Sequence, residues 1–185
     1  QTKDIFSIHE DDDGNLQLGL WANEMVLVDL SATMGDTDVD SIARHVRFRS
    51  FVDTRFNGAI SDVERWDDHS IIICSRGGLF TMDMGTGFIS RPDIPPAARS
   101  ILDTLPVTRL CEEDKGKIWI GSYTNGLYLF DRVKGTLHHY RLTAGDGKQH
   151  HDGIILDILK DNAGRLWIAA DDRLDLFDPT AKTFS

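Results

Sequence analysis

Asp114-Lys-Gly-Lys-Ile-Trp-Ile-Gly-Ser-Tyr-Thr-Asn-Gly-Leu-Tyr-Leu-Phe-Asp131 is the stretch whose reading decides the fold. It reads as a tight turn (Asp114 to Lys117), a strand (Ile118 to Ser122), a second turn, and a second strand (Leu127 to Phe130). Gly116 and the Asn125-Gly126 pair are placed to supply the positive φ angles that such turns demand. The two apolar runs are short, β-branched and aromatic, and turn residues bound them, which is a strand pattern rather than a helical one.

The hairpin recurs. With Ile118 as anchor, its equivalents are Leu16, Ile71 and Leu166, at successive spacings of 55, 47 and 48 residues. The anchors open the triplets Leu16-Gln17-Leu18, Ile71-Ile72-Ile73, Ile118-Trp119-Ile120 and Leu166-Trp167-Ile168. Two residues before them stand Gly14, His69, Gly116 and Gly164. Eleven and eight residues before them stand Ile5 and Ile8, Ile60 and Val63, Val107 and Leu110, Ile155 and Ile158. The hairpin partners end in Asp29, Asp83, Asp131 and Asp178.

A period near fifty residues, built of short strands and turns, marks a radially repeated β structure. A first strand, the anchor strand, its hairpin partner and a fourth strand, such as His45 to Phe51 or Leu137 to Arg141, make a propeller blade. The sequence therefore predicts an all-β chain, a single partial β-propeller domain over residues 1–185, with blades at about 4–51, 60–92, 107–142 and 155–185. Trp119 and Trp167 fall on the face opposite their flanking Ile and Leu residues, and are expected to wedge between blades. Ser31 to Ala43 reads as a polar insertion, and Arg91 to Pro96 as an extended connection that prolines keep out of the sheet. The chain opens on a first strand and stops as the last strand of its fourth blade begins. This predicts an open arc cut from a ring of about seven blades, given that rings span about 4–8. Its exposed edges would be covered by self-association.

Composition narrows the function. The 185 residues are 41% hydrophobic and 27% charged, as in globular domains, and no run approaches the roughly 20 apolar residues of a membrane helix. A formal charge of −10 argues against nucleic acid as a partner, because nucleic acid draws basic surfaces. Cys74 and Cys111 lie in strand patterns of different blades and read as small hydrophobes rather than a disulfide. Asp36-Thr-Asp-Val-Asp40 imitates the start of a calcium loop, but Ser41 and Arg47 stand where that loop needs glycine and glutamate. His138-His139 alternates across a strand, and His150-His151 lacks a third ligand nearby in sequence, so no metal and no cofactor is expected. There is no nucleophile elbow, phosphate loop or zinc-type cysteine spacing, and the carboxylates cluster at turns, where Asp is favoured for backbone reasons. No catalytic set is legible.

Asp161-Asn-Ala-Gly-Arg-Leu-Trp-Ile168, and Asp114-Lys-Gly-Lys-Ile-Trp-Ile-Gly121 followed by Gly126-Leu-Tyr-Leu-Phe-Asp131, resemble the repeat of the periplasmic sensor propellers in hybrid two-component regulators of Bacteroides-type bacteria. The first copy has Ala169 where the closing glycine belongs, and the second has one residue fewer between Asp and Gly. The resemblance spans all four units and is weakest in blade two. It implies a non-catalytic, extracytoplasmic sensor region of an inner-membrane protein, placed in the periplasm. That region would recognise carbohydrate-derived ligands and control a histidine kinase phosphorelay and genes for polysaccharide use. The parent receptor would be dimeric. The alternatives are a protein-interaction propeller scaffold and a propeller lyase or glycosidase. A glycosidase or lyase would need convergent acids and bases at the ring axis.

The family has no fixed binding motif, so candidate ligand residues come from propeller geometry. The turns between second and third strands share a face with the connections between blades. That face would gather Trp21, Arg55, Arg76, Tyr123, His150 and His151. Rings could stack on an oligosaccharide, and charged groups could fork hydrogen bonds to its hydroxyls or carboxylates.

Overall fold

The structure is a computed structural model that describes residues 4–33, 35–114, 116–141, 153–171 and 173–185. It divides into two compact units, residues 1–92 and 93–185, each carrying two blades. In the first unit, blade one is β1 (Ile5–Glu10), β2 (Leu16–Leu20), β3 (Glu24–Asp29) and β4 (Arg47–Val52). Blade two is β5 (Ile60–Arg65), β6 (Ser70–Ser75), β7 (Gly78–Asp83) and β8 (Ile89–Ser90). In the second unit, blade three is β9 (Val107–Asp114), β10 (Lys117–Ser122), β11 (Leu127–Asp131) and β12 (Thr136–Tyr140). Blade four is β13 (Ile155–Lys160), β14 (Leu166–Ala170), β15 (Leu174–Asp178) and β16 (Thr183–Phe184). Each blade is a four-stranded antiparallel meander in chain order, the unit of a β-propeller. All four anchors lie on second strands, as the repeat requires.

Local chemistry explains the repeat. The Asp that opens the motif ties the hairpin turn: Asp161 Oδ1 accepts the amides of Ala163 and Arg165 at 2.9 and 3.0 Å, and Asp11 Oδ1 accepts those of Asp13 and Asn15 at 3.0 and 2.8 Å. Gly14, Gly116 and Gly164 then take φ of 79°, 120° and 77°, which costs glycine nothing. In the second turn only Gly126 enters this region (φ 71°), and Asn125 does not. The Asp residues that end the third strands cap the next turn. Asp131 Oδ1 accepts Val133 and Lys134 N–H, and Asp178 Oδ1 accepts Thr180 and Ala181 N–H. A bulge recurs in the first strand of every blade, where the pairing skips Phe6, Ser61, Thr108 and Leu156.

Within each unit, one blade presses its second and third strands on the next. In the first unit Met25 and Leu27 join Ile60, Val63, Ile71, Ile73, Phe80 and Met82 in one core. In the second, Trp119 and Leu127 join Ile155, Ile158, Leu166, Ile168 and Phe177. The closing glycine of the motif is the point of closest approach. A Cβ at Gly121 would stand 2.7 Å from Ile155 Cγ2, and one at Gly19 would stand 2.6 Å from Ile60 Cγ2. Ile60 and Ile155 both sit eleven residues before their anchors. Gly121→Ala is therefore expected to cost about 1–3 kcal/mol through overpacking. A thermal midpoint that did not fall would mean the blades part without penalty. Ala169 tolerates its Cβ because it is only half-buried and packs on no blade within its unit.

Two expectations need correction, the extent of the Arg91 to Pro96 connection and the burial of Trp167. The polar insertion before β4 carries a 3-10 turn (Ser31–Thr33) and a helix, α1 (Val39–His45), whose N-cap is Asp38. The acidic run is thus committed to capping, with Asp38 Oδ2 accepting Ser41 N–H at 3.0 Å. Arg91 to Pro96 is extended only as far as Pro95, after which Pro96 opens a second helix, α2 (Pro96–Leu102), from the favoured first-turn position. The fourth strand of blade four is a short one, in which Thr183 pairs with Asp178 and Phe184 with Phe177. Trp167 is half-buried rather than wedged, its Nε1–H donating to Asp161 Oδ2 at 3.2 Å. Cys74 and Cys111 are free thiols, the first buried and the second half-buried.

Candidate functional site

Trp21, Arg76 and Tyr123 occupy one repeat position, five residues past their anchors, in the turn between second and third strands. In the first unit three of the predicted residues meet at one end. The Trp21 amide donates to Asp4 O at 3.0 Å, and the indole, 48% exposed, leans on Phe6 with centroids 5.4 Å apart. The turn is stitched to the blade connection, where Asn23 Oδ1 accepts Gly58 N–H and Gly77 N–H donates to Phe56 O at 2.9 Å. Arg76 packs its Cδ over Gly58. Arg55 lies in the 3-10 turn Thr54–Phe56, where Asp53 holds it and its Nη2 donates to Ile89 O at 2.9 Å. That ion pair draws the Asp53 carboxyl below its ordinary range. Arg55 is thus pinned, and it is a wall rather than a reaching arm.

Tyr123 belongs to the second unit, half-exposed, with its amide bonded to Pro106 O. His150 and His151 lie outside the described residues. Among the described residues, no group of three or more His, Cys, Asp or Glu is placed to hold a metal. His138 and His139 are both exposed, and His139 stacks on Tyr128 with centroids 4.4 Å apart.

The Asp residues of the repeat turns are spent on backbone amides. Asp161 shows this most clearly: the Arg165 amide first, then the Arg165 guanidinium, Ala163 N–H and the Trp167 indole hold its carboxyl down to about 2. The folded value lies below the ordinary 3.8, so this contribution to stability is complete above pH about 4 and is lost as pH falls toward 2. Asp161→Asn is expected to abolish that part of the pH dependence. Wild type and variant should differ most above pH about 4 and converge below about 2. Parallel stability curves across this window would show that the carboxylate charge is idle.

The structure also shows a cavity that the sequence did not reveal. It lies at the other end of the first unit, where the β1–β2 and β3–β4 turns meet, and encloses about 420 Å3. Gln17, Asp11, Asn15, Asp29, Arg47 and Arg49 give it polar walls, and Leu16, Leu27, Val28 and Phe48 give it apolar ones. Asp29 is ionised below its usual range by hydrogen bonds from Ser31 and by Arg47 opposite it on β4. Arg49 is fixed by the carbonyls of Met84 and Gly85 at 3.2 and 3.4 Å. Gln17, the residue that replaces tryptophan in this copy of the repeat, is 3% exposed, and among the described residues its Oε1 has no hydrogen-bond partner. The signal was present in the sequence as that departure from the pattern, but its meaning depended on Arg47 lying two strands away.

No protein-family model and no curated protein matches the sequence. Solved structures do match, and they place the chain in the β-propeller class. The extracellular domain of BT4673 from B. thetaiotaomicron, named as a hybrid two component system, matches over 98% of this chain with TM-score 0.66 and 14% identity. That of BT3049, from the same organism and likewise named, matches over 98% with TM-score 0.55 and 14% identity. The WD40 domain of Neurospora crassa Pan2 matches over 99% with TM-score 0.62 and 12% identity. The chain spans only 21%, 29% and 49% of those chains respectively. Structural neighbours of the fold are therefore the extracellular propellers that the repeat motif resembles, alongside propellers of the WD40 type. Among the described residues, no helix is long and apolar enough to cross a membrane.

Proposed function

We propose that this chain is a non-catalytic blade segment from the extracytoplasmic, periplasmic sensor region of a hybrid two-component signalling protein. In this reading it helps to recognise a carbohydrate-derived ligand and to control a histidine kinase phosphorelay and the genes for polysaccharide use. Support comes from the agreement of two independent likenesses, that of the Asp-x-x-Gly-x-Leu-Trp-Ile repeat and that of the whole-chain fold to extracellular domains so named. The carboxylates give further support, since the Asp residues of the repeat are engaged by turn amides rather than aimed in pairs at a common point.

The test is a glycan array probed with the chain, followed by titration of any hit while tryptophan fluorescence is monitored. Saturable binding of an oligosaccharide, with a changed indole signal at Trp21 or Trp167, is expected. Silence across the array, with capture of a specific protein partner instead, would favour the second reading. That reading is a protein-interaction propeller, and the WD40 match is the observation behind it.

A further inference from the structure

We propose that the cavity between Gln17 and Arg47 binds a small hydroxy acid, with a sugar acid as its natural class. The inference rests on the reading of the chain as a carbohydrate sensor and deepens it by naming a site and a ligand chemistry.

The starting point is a broken rule in the repeat. One residue past the anchor, blade three places Trp119 and fills the space against the next blade. Blade one places Gln17 at that position, on the same face of its sheet, and a cavity of about 420 Å3 opens there. Volumes of this order suit small ligands. A shorter side chain alone would leave an apolar void, and such a void is best closed by Leu or Met. The residue present is an amide, buried, with an acceptor that no described residue satisfies. A buried carbonyl without a donor costs stability, so its presence is better explained by a donor that arrives from outside. Positions that break a local pattern at a cost are where function is expected.

The charges around the amide define what would arrive. Among the described residues, no hydrogen bond or ion pair engages the Arg47 guanidinium, which only faces Asp29 across the strand pair. It offers a planar fork that suits a carboxylate. Asp29 keeps its charge and can accept from hydroxyls, and Gln17 Oε1 needs an O–H or N–H donor. Arg49 is already spent on two carbonyls, so the site presents one available cation rather than two. One carboxylate for Arg47, with hydroxyls for Gln17 and Asp29, is the pattern of a hydroxy acid. A phosphate or sulfate would bring a larger negative charge against Asp29 and Asp11, and a sulfate would donate nothing to Gln17. Leu27, on the same sheet face as Gln17, supplies an apolar floor for a sugar's carbon face.

The experiment titrates sodium glucuronate, with glucose and acetate as controls, into the chain, followed by calorimetry and by amide NMR shifts. Saturable glucuronate binding is expected, with Asn15, Gln17 and Arg47 amides among the shifted signals and both controls weaker. Arg47→Gln, an exposed substitution, should weaken binding about tenfold or more. Gln17→Leu should do the same while raising the thermal midpoint, because it removes an unsatisfied buried acceptor. Val133→Thr, an exposed change in the second unit, should leave affinity unchanged. Glucose binding as tightly as glucuronate, or unchanged affinity in both cavity variants, would overturn this site while leaving the sensor reading standing. An absence of glucuronate binding would overturn it too, and neutral glycans bound on the array would then preserve the broader reading.

Discussion

Trp119→Ala is expected to lower the unfolding free energy by roughly 3–5 kcal/mol, the range for emptying a buried large aromatic site. Trp119 is 1% exposed and sits at the seam of blades three and four. Its ring meets Phe177 of β15 at 5.5 Å, edge on, and Tyr140 of β12 at 5.6 Å, while Phe177 and Tyr140 touch at 5.1 Å. Removing the indole leaves both partners without a common surface, and the rings are held by their own strands, so collapse into the space is limited. The polar edge is also engaged: Nε1–H donates to Glu113 Oε2 at 2.7 Å, and Lys160 pairs with that carboxylate at 3.1 Å. Trp119→Phe keeps most of the packing and loses that bond, so a smaller loss is expected. Trp167→Ala is the control, since the same repeat position is half-buried in blade four and should cost distinctly less. Denaturant midpoints measure all three. A midpoint for Trp119→Ala that hardly moves would mean that the blades do not depend on their aromatic wedge.

The contrast between those two tryptophans shows what the sequence could and could not specify. Periodicity identified the strands, because alternation and turn chemistry are local and every blade repeats them. It also placed Trp21, Arg76 and Tyr123 at equivalent positions, because position in a repeat is a property of the chain. Burial is not such a property. Trp119 and Trp167 share a motif, yet one is enclosed and the other is not, because enclosure depends on which blade lies opposite. The helix α2 was illegible for a related reason: the Pro-Pro pair reads as a breaker until one asks which residue it breaks before. The cavity is not legible in the sequence because Gln17, Asp29 and Arg47 come together only through cross-strand register.

The solution mass of the chain is expected to rise with concentration, and the reason lies in the two blade faces left uncovered. Each unit shows one interface rule. The face holding the residues one and three past the anchor, Gln17 and Gly19 or Trp119 and Gly121, lies against the next blade. The face holding the anchor and the residue two past it, Ile71 and Ile73 or Leu166 and Ile168, receives it. Blade one carries a receiving face of Leu16 and Leu18 with Ile8, the last 65% exposed. Blade four carries a pressing face of Trp167 and Ala169 with Leu159, 66% exposed. These are the two halves of one interface, so blade four of one copy is expected to pack on blade one of another. Such a contact is head-to-tail and does not close by two-fold symmetry, so it should add copies progressively rather than stop at a dimer. The formal charge of −10 opposes it, and added salt should therefore strengthen association. Leu159→Asp and Ile8→Asp should each block it while leaving the fold intact, because both side chains are exposed, and mixing the two variants should restore only a dimer through the one intact pair of faces. Sedimentation across a hundredfold range of concentration decides the matter. A constant mass of 20.8 kDa throughout would show that these faces do not recognise each other between copies.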